Sequence, residues 1–117
     1  FDALRHCYYS PDSLIDSDLK NLKNWIHDYL QVAQRQGQSH EQRQCLMNQT
    51  NPKYVLRNYL SQIAIDNAEN GDYSKIDELL NALKKPYDEQ PEYEHLAAKR
   101  PEWARDKAGC SMLSCSS

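Results

Sequence analysis

Residues 52–85 read PKYVLRNYLSQIAIDNAENGDYSKIDELLNALKK, and this stretch decides the fold. It contains two runs of apolar residues at spacings of three and four, the pattern of a helix with one buried face. Asn70-Gly71 separates the two runs, and glycine supplies the left-handed residue that commonly ends a helix. We therefore predict an antiparallel helix hairpin, with helices at about 52–70 and 74–85, whose apolar faces cover one another.

Local residue types predict the ends of this hairpin. Asn51-Pro52 pairs a good N-cap with the helical position that tolerates proline, so we expect the first helix to start there. Ser74, with Asp77 three residues later, is expected to cap the second helix. The apolar face of the second helix consists of Ile76, Leu79, Leu80 and Leu83. We expect Leu60 of the first helix and Leu80 of the second to be core residues.

Two further helices are predicted before the hairpin. Residues 17–36 form a strongly amphipathic pattern, with capping oxygens and negative charge at residues 16–18. Gly37 is expected to end this helix. Ser39 and Gln42 have the spacing of a capping box, which predicts the start of a short helix.

The composition of the 117 residues favours an all-α fold. Valine, isoleucine and threonine together number only eight, and three glycines leave few hairpin turns for a sandwich or barrel. From residue 87 onward, prolines and alternating charges replace the helical pattern. We predict a small helical domain at 1–86 and an extended tail at 87–117, pinned by Trp103.

Charge and hydropathy argue against two classes of partner. The net charge is −3 and there is no block of lysine and arginine, whereas nucleic-acid binding depends on clustered cations. No stretch approaches the roughly 20 apolar residues that span a bilayer. We therefore expect a soluble protein with no nucleic-acid and no membrane partner. The chain opens at Phe1 rather than methionine, so we expect a piece of a longer protein.

The four cysteines, Cys7, Cys45, Cys110 and Cys115, are scattered rather than paired in a zinc-binding pattern. This spacing predicts no metal site and favours a reducing compartment.

The acidic residues between 88 and 94 are interpreted as a solvated loop, because charge runs usually face water. His27 and His95 lack a nucleophile in a recognised sequence context. A phosphate-cradling glycine loop is also absent from the sequence. We predict neither catalytic nor cofactor-binding residues in this chain.

The tail carries the two cysteines that are candidates for redox chemistry, Cys115 and Cys110. Cys115 lies two residues from the end of a short polar segment, where a thiol can reach a partner sulfur. Cys110 is a weaker candidate, since a bond between these two cysteines needs backbone adjustment. An incidental exposed thiol is the alternative interpretation.

Residues 47–60 read MNQTNPKYVLRNYL, and shorter motifs follow them along the chain. These motifs are Ala64-Ile65, Ala68-Glu69, Gly71-Asp72, Leu79-Leu80, Pro86-Tyr87-Asp88, Pro101-Glu102-Trp103-Ala104 and Cys115-Ser116-Ser117. Together they resemble the C-terminal region of the selenoprotein O (SelO/YdiU) family of protein adenylyltransferases. Some relatives carry selenocysteine at the position of Cys115.

The resemblance implies that a complete parent has a kinase-like domain that binds ATP with magnesium or manganese. Such proteins transfer AMP to serine, threonine or tyrosine hydroxyls of protein substrates. The present chain lacks the motifs of that domain, so the resemblance implies a non-catalytic helical domain that packs on the kinase-like part. It also implies a redox-sensitive Cys115, whose reversible disulfide with that part gates the active site.

A free-standing helical module that binds another protein through an exposed apolar stripe is the alternative. The family resemblance implies cytoplasmic residence in a bacterium and mitochondrial residence in a eukaryote.

Overall fold

The structure is a computed structural model that describes residues 2–110. Its α-helices are α1 (Asp2–Arg5), α2 (Asp16–Arg35), α3 (His40–Thr50), α4 (Asn58–Glu69) and α5 (Ser74–Leu83). Short 3₁₀ segments cover Pro11–Ser13, Pro91–Ala97 and Glu102–Ala104. The described part of the chain contains no β-strand, which confirms the all-α prediction.

The chain divides into two compact units, Phe1–Arg43 (unit 1) and Gln44–Ser117 (unit 2). The sequence analysis places the boundary between helical domain and tail after residue 86. The structure instead divides between residues 43 and 44, before the hairpin. Residues 87–110 belong to unit 2, because three of their side chains are buried in its core.

Unit 1 contains the helix ends that the sequence predicts from local signals. The side chain of Asp18 accepts a hydrogen bond from the N–H of Ile15 at 3.3 Å, as expected at the start of α2. Gly37 has a φ of +68° just after the end of this helix. The capping box of α3 is confirmed: the N–H of Ser39 donates to Gln42 Oε1 at 3.0 Å, and the N–H of Gln42 donates to Ser39 Oγ at 3.1 Å.

The first helix of the hairpin starts later than the sequence predicts. It begins at Asn58, and the segment before it is not helical. The N–H groups of Lys53 and Tyr54 donate to the carbonyl of Pro86, at 2.8 and 3.1 Å, instead of to a neighbouring turn. This contact with a distant segment outweighs the local signal for a helix start at Asn51-Pro52.

The hairpin turn is as predicted, but its cap is a different residue. Gly71 has a φ of +84°, the left-handed conformation that glycine adopts at no steric cost. Asp72 Oδ1 accepts a hydrogen bond from the N–H of Ser74 at 3.0 Å, and Ser74 is already the first residue of α5. An aspartate turn therefore starts the helix in place of the expected serine cap.

The core of unit 2 joins the hairpin to the segment that follows it. Its buried members are Tyr54, Tyr59, Leu60, Ala64, Leu79, Ala82, Leu96, Ala104 and Cys110. The prediction for Leu60 is confirmed, whereas the prediction for Leu80 is wrong, because that side chain is 53% exposed. Adjacent residues of a helix point about 100° apart, and α5 buries Leu79 instead.

Candidate functional site

A buried tyrosine and glutamine connect the segment before α4 to the segment after α5. Tyr54 Oη donates to the carbonyl of Gln90 at 2.9 Å and accepts from the N–H of Gln90 at 3.1 Å. Gln90 Nε2 donates to the carbonyls of Ala82 and Lys85, at 3.0 and 2.9 Å. The glutamine thus adds a second hydrogen bond to two carbonyls that also accept from the backbone N–H groups of Lys85 and Asp88, at 3.3 and 3.2 Å. No local pattern in the sequence indicates these long-range partners.

The acidic loop is held by a lysine from the segment that precedes α4. Lys53 Nζ donates to the carboxylates of Glu89 and Glu94, the second at 2.6 Å. The hydrogen bond to Glu89, and next the one to Glu94, raise the pKa of Lys53 above its ordinary value. The two glutamates are 77% and 63% exposed, as the solvated-loop interpretation predicts. Their exposure leaves no buried carboxylate pair for acid–base work.

A carboxylate lies between a lysine and a histidine at the rim of a small apolar pocket. Glu78 Oε2 accepts from Lys75 Nζ at 2.7 Å, and Glu78 Oε1 lies 2.6 Å from His95 Nε2. Lys75 and, to a smaller extent, His95 hold the pKa of Glu78 below its usual value. The rest of the pocket is lined by Tyr59, Leu60, Ile63, Leu79 and Leu96. No serine, threonine or cysteine is among these lining residues.

The chain after residue 98 is fastened along α4. Asp66 accepts from Lys107 Nζ at 2.6 Å and from Gln62 Nε2 at 2.7 Å. Both hydrogen bonds lower the pKa of Asp66, and the one from Lys107 has the larger effect. Trp103, the predicted anchor of the tail, is half exposed and contacts Tyr59 edge-on with ring centroids 6.4 Å apart.

Smaller residues bury the segment more completely than the tryptophan does. Ala104 has no exposed surface, Cys110 is 1% exposed and Leu96 is 6% exposed. The described part of the predicted tail, 87–110, is therefore packed into unit 2 at several points. The sequence analysis did not predict the burial of Ala104 and Cys110, because small side chains contribute little to a hydrophobic pattern.

The described residues bring together no cluster of metal-ligating side chains. Within residues 2–110, no group of three or more histidine, cysteine, aspartate or glutamate side chains comes together in a way that could hold a metal ion. The clustered carboxylates of unit 2 are bonded to lysines, as described above. The ATP and divalent metal that the family resemblance implies therefore stay expectations for the complete parent.

The structure separates the cysteines by environment. Cys7 and Cys45 are exposed, whereas Cys110 lies in the core of unit 2. Cys115, the preferred redox candidate, lies outside the described residues. None of the helices within residues 2–110 has the length and apolar character needed to cross a membrane.

Comparison with known proteins places the chain in a family. Residues 5–84 match the family described as "Protein adenylyltransferase SelO". The chain is 47% identical over 116 residues to the "Protein nucleotidyltransferase YdiU" of Aromatoleum aromaticum, an alignment that covers 99% of this chain. It is 51% identical over 114 residues, 97% of its length, to the protein of the same name from Methylobacillus flagellatus.

The matched region is a minor part of these relatives. The chain spans 22% of the length of each of the two. No solved structure matches the chain significantly. The match to the family over residues 5–84, together with near-half identity along almost the whole chain, shows that the chain belongs to the SelO family.

Proposed function

We propose that this chain is the non-catalytic C-terminal helical region of a protein nucleotidyltransferase. One observation carries the proposal: the chain is about half identical along its length to proteins named nucleotidyltransferases, yet spans 22% of each. The catalytic centre then lies in the other four-fifths of the parent, in a kinase-like domain on which this region packs.

The contacts within unit 2 support a scaffold role. Each of its polar clusters joins segments that are far apart in sequence: Lys53 binds the acidic loop, Glu78 binds His95, and Asp66 binds Lys107. Gln90 is bonded to main-chain groups at the end of α5. These side chains act on one another and on the backbone, and their arrangement holds residues 87–110 against the hairpin.

The activity proposed for the parent is transfer of AMP from ATP to serine, threonine or tyrosine hydroxyls of proteins. In that reaction the hydroxyl oxygen bonds to the α-phosphorus and pyrophosphate leaves. Magnesium or manganese supplies charge neutralisation to such phosphate chemistry when it is bound. The protein substrates and the kinase-like domain are the partners in this proposal, and the bacterial cytoplasm is the location.

The position of a radioactive label in ATP tests the activity. Full-length protein is incubated with a mixture of candidate protein substrates and ATP labelled at either the α- or the γ-phosphate. Label transfer from the α-position alone supports AMP transfer, and label transfer from the γ-position contradicts it.

Conservative substitutions test the non-catalytic assignment. Glu78→Gln and Asp66→Asn in the full-length protein are expected to lower the melting temperature while leaving kcat near that of the wild type. A loss of kcat of about 100-fold, equivalent to about 2.7 kcal/mol of transition-state stabilisation, with an intact fold would place a catalytic group here instead.

The proposal also includes a redox role for Cys115, with Cys110 as the weaker candidate. Two thiols, that of Cys115 and one in the kinase-like domain, give up two electrons and two protons to a disulfide donor, which is reduced to thiols. Peptide mapping of the oxidised full-length protein identifies the bond, and Cys115→Ala is compared with wild type with and without reductant. Recovery of Cys115 only as a free thiol, or an unchanged redox response in the variant, contradicts this role.

A further inference from the structure

A groove between the two helices of the hairpin has no cover among residues 44–110 of unit 2. Its walls include Leu56, Ile65, Ile76, Leu80 and Leu83. Leu56, Ile65, Ile76 and Leu80 are between 45% and 53% exposed. Four large apolar side chains, each about half in water, thus face one depression.

The chemistry of the groove favours an apolar occupant. Ser61 is the one polar residue among those that line it, and none of them is charged. Single exposed apolar residues are ordinary on protein surfaces, but contiguous apolar patches mark interaction sites. From Ile76 to Leu83 the wall follows α5 for about 10 Å, because a helix rises about 1.5 Å per residue. This length matches two turns of an apposed helix with apolar residues at spacings of three and four.

We propose that this groove is an intramolecular docking site, filled in the full-length protein by an apolar helix face from outside the matched region. The proposal deepens the proposed function, since it assigns the surface through which this region packs on its parent. The length of the relatives supports this occupant. Because the chain covers 22% of each of them, about four-fifths of a relative lies outside the match.

Covalent connection favours this occupant over a second copy of the chain. A segment of the same polypeptide binds in an intramolecular step, at an effective concentration that reaches millimolar for a short flexible linker. Two separate copies must first offset about 4–15 kcal/mol of lost translational and rotational freedom. A groove two helical turns long buries too little surface to offset that cost alone, because stable interfaces between proteins bury about 1,200–2,000 Å².

Photo-crosslinking in the full-length protein tests the proposal. A benzophenone amino acid is placed at Leu80, and a matched control carries it at Asp88, an exposed position in the acidic loop. Crosslinked peptides from Leu80 are expected to join α5 to a sequence outside the 117 residues within one molecule. The control is expected to give none of these peptides. Crosslinks between two copies, crosslinks confined to the 117 residues, or no crosslink at Leu80 would overturn the proposal.

A charge placed in the groove gives a second measurement. Leu80→Asp in the full-length protein is compared with Asn81→Asp, which adds the same charge one residue further along α5. Leu80→Asp is expected to lower the melting temperature and to expose α5 amides to hydrogen exchange, while Asn81→Asp changes neither. Equal behaviour of the two variants would overturn the proposal. Both readouts are structural, so they stand whether or not the parent transfers AMP.

Discussion

Two leucines of the hairpin, Leu60 and Leu80, are expected to respond differently to the same truncation. Leucine to alanine removes about 2.4 kcal/mol of transfer free energy at full burial, at about 0.8 kcal/mol per carbon. Leu60 is 7% exposed, so almost all of this is lost, and a cavity remains. The expected cost of Leu60→Ala is about 2–5 kcal/mol.

Leu80 is 53% exposed and borders an open groove. About half of the transfer free energy is at stake, and no closed cavity forms, so Leu80→Ala is expected to cost about 1 kcal/mol. The two variants differ in position alone, which makes each the control for the other.

Urea unfolding of the 117-residue chain, followed by far-ultraviolet circular dichroism, measures both costs. The slope of free energy against urea must be unchanged in both variants, so that the midpoints report stability rather than altered compactness. Equal losses, or a larger loss for Leu80, would refute the assignment of buried and open faces in α5. The same comparison in the full-length protein is expected to bring the two losses closer together, because the groove is then filled.

Three further predictions concern other contacts of unit 2. Gln90→Glu is expected to cost about 1–3 kcal/mol in urea unfolding, because a carboxylate cannot donate to the carbonyls of Ala82 and Lys85 and each lost hydrogen bond contributes about 0.5–1.5 kcal/mol. Gly109→Ala is expected to lower the melting temperature, since φ is +82° and a Cβ would overlap the side-chain oxygen of Gln62; adding Gln62→Ala should restore part of the loss. The folded state lowers the pKa of Glu78, so the contribution of Glu78 to stability is present above the ordinary pKa of 4.5 and is lost as the pH falls. In Glu78→Gln, the midpoint of urea unfolding is therefore expected to change less with pH below 4.5 than in the wild type.

The sequence predicts those parts of the fold that depend on neighbouring residues. The capping box of Ser39 and Gln42 and the left-handed Gly37 and Gly71 were all confirmed. In each case the interacting groups lie within a few residues of one another. Such signals act in any protein that contains them, so no knowledge of tertiary structure is needed.

The errors lie where a distant segment competes with a local signal. Asn51-Pro52 does not start a helix, because the carbonyl of Pro86 takes the N–H groups of Lys53 and Tyr54. The apolar stripe of α5 is wide enough to include Leu80, and only the position of its neighbours decides which part is buried. The polar clusters of the candidate site were missed for the same reason, since their members are 17 to 41 residues apart.

Burial of Cys110 restricts the chemistry that is open to the tail cysteine. Disulfide exchange requires direct attack of a thiolate on an accessible sulfur. The thiol of Cys110 is in the core of unit 2, and the residue is 1% exposed. A bond to Cys115 therefore requires Cys110 to leave this core, at the cost of the packing that holds the segment on α4. Exchange with an exposed sulfur carries no such cost, so the core position of Cys110 disfavours it as the partner of Cys115, whereas Cys7 and Cys45 are exposed.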